Sequence, residues 1–125
     1  VPSLPKEAPT KLRPVDDEYC RFEEAGLGEA VHLALVIPAG GLGERLGFSD
    51  VKLALPADIS SGATVLEVYA SYIFAIQQLL TESFGRQVRI PLAIMTSLDT
   101  DSGVRQLLAA NNYYGLTRSQ VSLLQ

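Results

Sequence analysis

The stretch AGGLGERLGFSDVK, Ala39 to Lys52, gathers Gly40, Gly41, Gly43 and Gly47 with two cations, Arg45 and Lys52. Glycines this closely spaced let backbone N–H groups approach an anion without a side chain in the way, and they supply positive φ where a turn needs it. Such a loop is a phosphate cradle. A guanidinium grips phosphate oxygens at two points, while an ammonium acts as a mobile point charge. Together, Arg45 and Lys52 would stabilise charge on a transferred phosphoryl group and on leaving pyrophosphate, each such contact counting for on the order of 100-fold in rate. On spacing alone, the competing reading is that both cations are solvated surface charges.

Two better-known loops fail on spacing. The dinucleotide fingerprint GxGxxG, begun at Gly41 and Gly43, needs glycine at position 46, where Leu46 stands, and Gly47 comes one residue late. A P-loop requires a Gly-Lys pair, which this chain lacks. Other reactive side chains carry less. The single cysteine, Cys20, has no partner for a disulfide and no neighbouring triad, so it reads as an idle or buried thiol in a reducing compartment. His32 falls within an apolar run and reads as a packed, hydrogen-bonded residue. Asp99 and Asp101 stand at a helix start, where carboxylates favour caps and the macrodipole without any metal.

These residues need elements to hold them. VHLALVIPA, residues 31–39, is a nearly continuous apolar run, as expected of a strand covered on both faces of a parallel sheet, with His32 inside it and Pro38 ending it. The loop then lies beyond a strand's carboxyl end, where ligands bind in open α/β sheets. Thr64 and Glu67 have capping-box spacing, and VLEVYASYIFAIQQLL, residues 65–80, follows as a helix of about four turns. Tyr69, Tyr72 and Phe74 are expected to fill the core. VRIPLAIMTS reads as a second strand, residues 100–111 as a second helix closed near Gly115, and VSLLQ as a third strand ending at Gln125. Ahead of these, a proline-punctuated arm leads to a short helix over residues 16–25, punctuated by Gly26 and Gly28. The expected division is residues 1–28 as arm and helix, and 29–125 as the first half of a nucleotide-binding domain. The fold class is α/β, a doubly wound, mainly parallel sheet with right-handed crossovers, incomplete in this chain. A last strand with a raw apolar edge is what soluble proteins avoid.

The composition, 47% apolar and 19% charged, is that of an ordinary globular chain rather than a disordered one. Ten basic against fourteen acidic residues exclude a broad nucleic-acid footprint but allow a local cluster of cations for one nucleotide. Apolar stretches are too short or interrupted to span a bilayer, which leads to the expectation of a soluble, cytoplasmic protein.

At the loop the sequence resembles the UDP-sugar pyrophosphorylases, relatives of the UDP-glucose and UDP-N-acetylglucosamine pyrophosphorylases. IPAGGLGERLGFSDVKLALP is similar to their nucleotide-binding signature, and IMTSLDT followed by YYGLTRSQVSLLQ is similar to a second set of motifs. The matches cover about residues 35–125. The resemblance implies a Rossmann-like fold of the nucleotide-diphospho-sugar transferase type and the reversible reaction of UTP with a sugar 1-phosphate to give UDP-sugar and pyrophosphate, assisted by Mg2+. It implies that Ala39, Gly40, Gly41 and Gly43 lie against the nucleotide, that Arg45 and Lys52 hold the triphosphate, that Met95 lines the nucleoside pocket, and that Gln125 hydrogen-bonds the uracil edge. It also implies sugar-binding segments and a metal-holding aspartate outside these residues, so the partners are UTP, a sugar 1-phosphate and the remainder of the same enzyme. The family's proline before the motif lysine is replaced by Val51, a variant most like the branch with broad sugar specificity. A transferase for another base, or a nucleotide-binding module without catalysis, are the alternatives.

Overall fold

A computed structural model describes residues 11–43 and 47–125. The chain divides into two compact units, residues 1–30 and 31–125.

In the first unit, α1 spans Asp17–Ala30. Asp16 opens it by accepting the Tyr19 backbone N–H at 2.8 Å, satisfying one of the donors that a helix start leaves over. The helix is longer than its glycines suggest. Gly26 and Gly28 lie inside it, because a glycine lowers helix propensity by only about 1 kcal/mol and does not by itself stop a helix. No residue of α1 is buried, and Cys20 is exposed on it.

The second unit is a three-stranded parallel sheet with its helices in the crossovers. The elements are β1 (Leu35–Pro38), α2 (Val65–Phe84), β2 (Leu92–Met95), α3 (Asp101–Ala110) and β3 (Val121–Leu124), and the sheet order is β1-β2-β3. Leu35 pairs with Leu92, which pairs with Val121, and Pro38 pairs with Met95, which pairs with Leu124, so the three carboxyl ends stand level. β1 is shorter than its apolar run because only the residues opposite Leu92–Met95 find a partner. His32 therefore lies in a turn before the strand, exposed, and not within it. β1 ends at Pro38, as expected, with the proline as its last paired residue. Leu35 and Ala39 donate their N–H groups to Pro91 and Met95 across the β1–β2 seam, at 2.9 and 2.7 Å. The nitrogen of Pro38, one residue out of phase, faces the open side, where no donor is needed.

One face of the sheet is covered. Ile37, Leu92 and Ile94 are buried on it, whereas Val36 on the other face is 59% exposed. The cover expected on both faces is thus present on one among the described residues. Leu66, Ile73 and Leu80 of α2 and Val104 and Leu108 of α3 complete this core with almost no exposed surface.

The α2 capping box forms as its spacing predicts. Thr64 Oγ1 accepts the Glu67 N–H at 3.2 Å, and the Glu67 carboxylate reaches back to the Thr64 N–H. The helix runs on past Leu80 to Phe84 and ends at Gly85 in the left-handed conformation. Its aromatics are not core fillers. Tyr69, Tyr72 and Phe74 are between 43% and 65% exposed, because the stripe through Leu66, Ala70, Ile73 and Leu80 alone faces the core.

After α3 the chain makes an unusual turn. Asn112, Tyr113, Tyr114 and Gly115 all have positive φ, a run in which the tyrosines pay the steric cost of Cβ against the carbonyl. The turn is tied down at Tyr114, whose hydroxyl lies 3.2 Å from Thr64 Oγ1 at the head of α2.

Candidate functional site

The site is assembled at the carboxyl end of the sheet. Ala39 leaves β1 buried and bonded to the Met95 carbonyl. Gly40 follows against Ser97, the second residue past β2, where an added methyl would make ordinary contact at 3.8 Å from Ser97 Cβ. The loop then doubles back. Leu42 and Val51 form an antiparallel bridge, Gly43 donates to the Asp50 carbonyl at 3.0 Å, and Phe48 donates to Gly43 at 3.2 Å. Gly43 has no room for a side chain, since a Cβ there would stand 2.8 Å from that of Phe48.

This fold-back delivers Lys52 to the glycines. A methyl on Gly41 would sit 3.2 Å from Lys52 Nζ, so the ammonium lies directly over the bare backbone of the loop. The neighbours of Lys52 hold its Cα. Val51 and Leu53 are 2% and 4% exposed, a 3-10 turn covers Lys52–Ala54, and Asp50 Oδ1 accepts the Val51 N–H at 2.6 Å. Lys52 itself is exposed. A buried base under an exposed ammonium puts a positive charge on the loop's open surface. Arg45 lies outside the described residues, so its expected partnership with Lys52 is a matter of sequence only.

Met95, at the end of β2, is 49% exposed and stands between Pro38 and Leu124. Gln125 follows Leu124 and is exposed at the same end of the sheet. Ala39, Gly40, Gly41, Met95 and Gln125 thus share one rim with Lys52, a consequence of the level register.

Sequence reasoning missed the cluster behind that rim. Ser97 N–H donates to Thr100 Oγ1 at 3.0 Å, the two hydroxyls lie 3.1 Å apart, and Thr100 is fully buried. Thr100 therefore spends its side chain on the turn and not on capping α3. Asp101 makes no cap bond either. It accepts Thr96 Oγ1 at 3.0 Å and Arg105 Nε at 2.6 Å, and the Arg105 guanidinium, joined by the Thr96 hydroxyl, holds its carboxyl below the ordinary range against the opposing effect of desolvation. The signal available in sequence was the hydroxyl spacing Thr96, Ser97, Thr100 just after an apolar strand. Asp99 is exposed. Among the described residues no three His, Cys, Asp or Glu side chains are grouped as a metal would need, and no helix is long and apolar enough to cross a membrane.

With this geometry in place, comparison with known proteins is specific. Residues 9–125 match the family model of UTP–glucose-1-phosphate uridylyltransferase. The chain is 42% identical over 112 residues to a UDP-sugar pyrophosphorylase of Oryza sativa subsp. indica, covering 88% of this chain and 18% of the relative. It is 41% identical over 111 residues to the UDP-sugar pyrophosphorylase of Arabidopsis thaliana, with coverages of 87% and 18%. Among solved structures, a putative UDP-N-acetylglucosamine pyrophosphorylase from Entamoeba histolytica superposes with a TM-score of 0.72 at 28% identity, covering 88% of this chain and 28% of that one. The chain thus spans about a fifth of the length of these curated relatives.

Proposed function

The chain belongs to the UTP–glucose-1-phosphate uridylyltransferase family, and on that premise we propose that it is the nucleotide-binding part of an enzyme making UDP-sugars from UTP and sugar 1-phosphates. In this reaction a phosphate oxygen of the sugar 1-phosphate attacks the α-phosphorus of UTP, the bond from that phosphorus to the bridging oxygen breaks, and pyrophosphate leaves with the electron pair. The reverse reaction uses the same contacts.

The observation that carries the reading is Lys52 Nζ lying over Gly41 at the carboxyl end of a parallel sheet. Backbone N–H groups of Gly40 and Gly41 offer donors to phosphate oxygens, whereas that of Gly43 is taken by the Asp50 carbonyl and holds the loop's fold-back, and Lys52 offsets the charge that builds on the α-phosphoryl group and pyrophosphate. Arg45 is assigned to the same triphosphate. Met95 supplies an apolar wall for the nucleoside, and the Gln125 carboxamide, both donor and acceptor, suits the imide edge of uracil. Broad sugar acceptance follows from the likeness to the UDP-sugar pyrophosphorylases. Mg2+ is the proposed cofactor of the complete enzyme, but the described residues form no cage for it, and no step above runs through the metal. A reducing, cytoplasmic setting suits the exposed Cys20.

The test uses the full-length protein, with UTP, CTP, ATP and GTP competing for binding and pyrophosphate release followed with glucose 1-phosphate. We expect preference for UTP, turnover with more than one sugar 1-phosphate, and loss of kcat on the order of 100-fold in Lys52→Ala. Preference for another nucleotide would remove the uridylyl assignment. Tight UTP binding without turnover on any sugar phosphate would make the chain part of a binding module instead.

A further inference from the structure

The carboxyl ends of β2 and β3 are joined by more than the sheet ladder. Thr96, the first residue beyond β2, donates its backbone N–H to the Leu124 carbonyl at 2.7 Å. Its Oγ1 is 3.3 Å from that same carbonyl oxygen and 3.0 Å from Asp101 Oδ1. One hydroxyl proton serves two acceptors here, and the nearer, charged carboxylate takes the larger part of it. Asp101 is in turn held at both oxygens by Arg105, with Nε 2.6 Å from Oδ2 and Nη2 3.2 Å from Oδ1. A continuous chain of polar contacts thus runs from a guanidinium on α3 to the peptide joining Leu124 to Gln125.

That peptide needs holding. Gln125 is the first residue past β3, outside the paired register, so the ladder does not orient it. A carboxamide discriminates between bases only when it is held within about 0.5 Å of productive geometry by groups behind it. The Thr96 bond to Leu124 is the contact that fixes the peptide, and Asp101 fixes Thr96. Asp101 is well placed for this, with a side chain only 19% exposed, whereas the Arg105 side chain is 60% exposed. A partly exposed pair one helical turn apart contributes little to stability by itself, so its role is to be sought in what it aims.

We propose that Asp101, clamped by Arg105, is a positioning residue for base recognition: through the Thr96 hydroxyl it sets the Leu124–Gln125 peptide and thereby the aim of the Gln125 carboxamide. The inference rests on the reading of Gln125 as the group facing the uracil edge. It adds residues that the likeness to relatives does not assign, and it makes the start of α3 part of the nucleoside site.

The experiment compares kcat/KM for UTP and CTP in the full-length protein, because the two nucleotides differ in the donor and acceptor pattern of the base edge that Gln125 would face. Gln125→Ala is expected to lower the UTP-over-CTP ratio. Asp101→Ala and Thr96→Val are expected to lower it about 3- to 10-fold, the range of one hydrogen bond, through KM for UTP more than through kcat. Thr96→Ser, which keeps the hydroxyl, should restore the ratio, and the exposed Arg105→Ala should shift it less but in the same direction. If Gln125→Ala lowers the ratio while Asp101→Ala and Arg105→Ala leave it alone, the positioning role is overturned and the reading of Gln125 stands. If Gln125→Ala leaves the ratio unchanged, that reading fails and the proposal falls with it. A Thr96→Ser variant as impaired as Thr96→Val would assign the effect to the methyl and overturn the relay. Should Thr96→Val fail to fold, the two α3 variants decide the matter alone.

Discussion

A single hydrogen on Gly103 governs how closely α3 approaches the Lys52 segment. A Cβ built there stands 2.8 Å from Val51 Cγ1 and 3.5 Å from Asp50 Oδ1. In an exposed helix, replacing glycine with alanine stabilises by about 1 kcal/mol. Here the gain is opposed by a buried β-branched side chain that cannot swing away, and Val51 precedes Lys52. Gly103→Ala is therefore expected to leave the thermal midpoint unraised while lowering kcat; a stabilised variant with full turnover would show that the Lys52 segment tolerates displacement. Asp58 offers a residue-scale pH prediction. The hydroxyls of Ser61 and Ser60, with their backbone N–H groups, hold its carboxyl down to about 2. A folded value below the unfolded one means that the turn's contribution is complete above about pH 4 and is lost as pH falls toward 2. An NMR titration of the Asp58 carboxyl carbon reads this directly, and an ordinary midpoint would contradict it. At this scale the sequence was informative about type and spacing but not about distance. Lys52 was legible as a candidate, whereas its seat above Gly41 depends on the bridge between Leu42 and Val51, which pairs residues across a glycine-rich stretch with no periodic pattern to announce it. Asp101 was legible as a helix-start acid, yet its partners are a threonine before the helix and an arginine within it.

The amino ends of β2 and β3 are fastened to the carboxyl half of α2 by a polar clasp distinct from the site. Gln77 Oε1, on α2, accepts the Ile90 N–H and Gln120 Nε2, both at 2.8 Å, and Gln120 Nε2 also reaches the Ile90 carbonyl at 2.9 Å. Gln120 is 8% exposed, so its amide depends on these partners. Gln77→Leu would leave two donors without that acceptor, and we expect a loss of about 1–3 kcal/mol in urea unfolding. A loss within error would mean that water takes over the role. Thr64→Ala removes half of the α2 capping box and should cost about 1 kcal/mol, read from the same transition. Local chemistry made α2 legible from Thr64 onward and α3 nearly to the residue. The strands were overextended, because an apolar run does not say how many of its residues find a partner. The left-handed run at Asn112 to Gly115 escaped entirely, since two tyrosines are poor candidates for positive φ and only the packed context over-determines it.

For the molecule as a whole, the α/β class was readable from the alternation of strand and helix, and the solved relative from Entamoeba histolytica superposes on most of the chain. That the described residues cover the sheet on one face was not readable. Val36, Leu79 and Phe84 are exposed although their surroundings in sequence are those of core residues, because burial belongs to the complete set of layers and not to any one segment. Relatives about five times as long contain room for such layers. The 125-residue polypeptide by itself is accordingly expected to show no UDP-sugar formation while the full-length protein turns over; robust activity of the isolated chain would place the whole reaction within these residues.

Pro38 bears on how this open sheet meets other chains. Its ring nitrogen faces the side of β1 that the described residues leave unpaired, at the strand's carboxyl end, so a stray strand adding there would find the amide of Val36 but none two residues on. Edge-to-edge stacking, the first step toward fibrillar aggregates, is interrupted at that point. A strand meant to lie beside β1 needs a shape that tolerates the gap, which makes one proline a filter on what may extend the sheet.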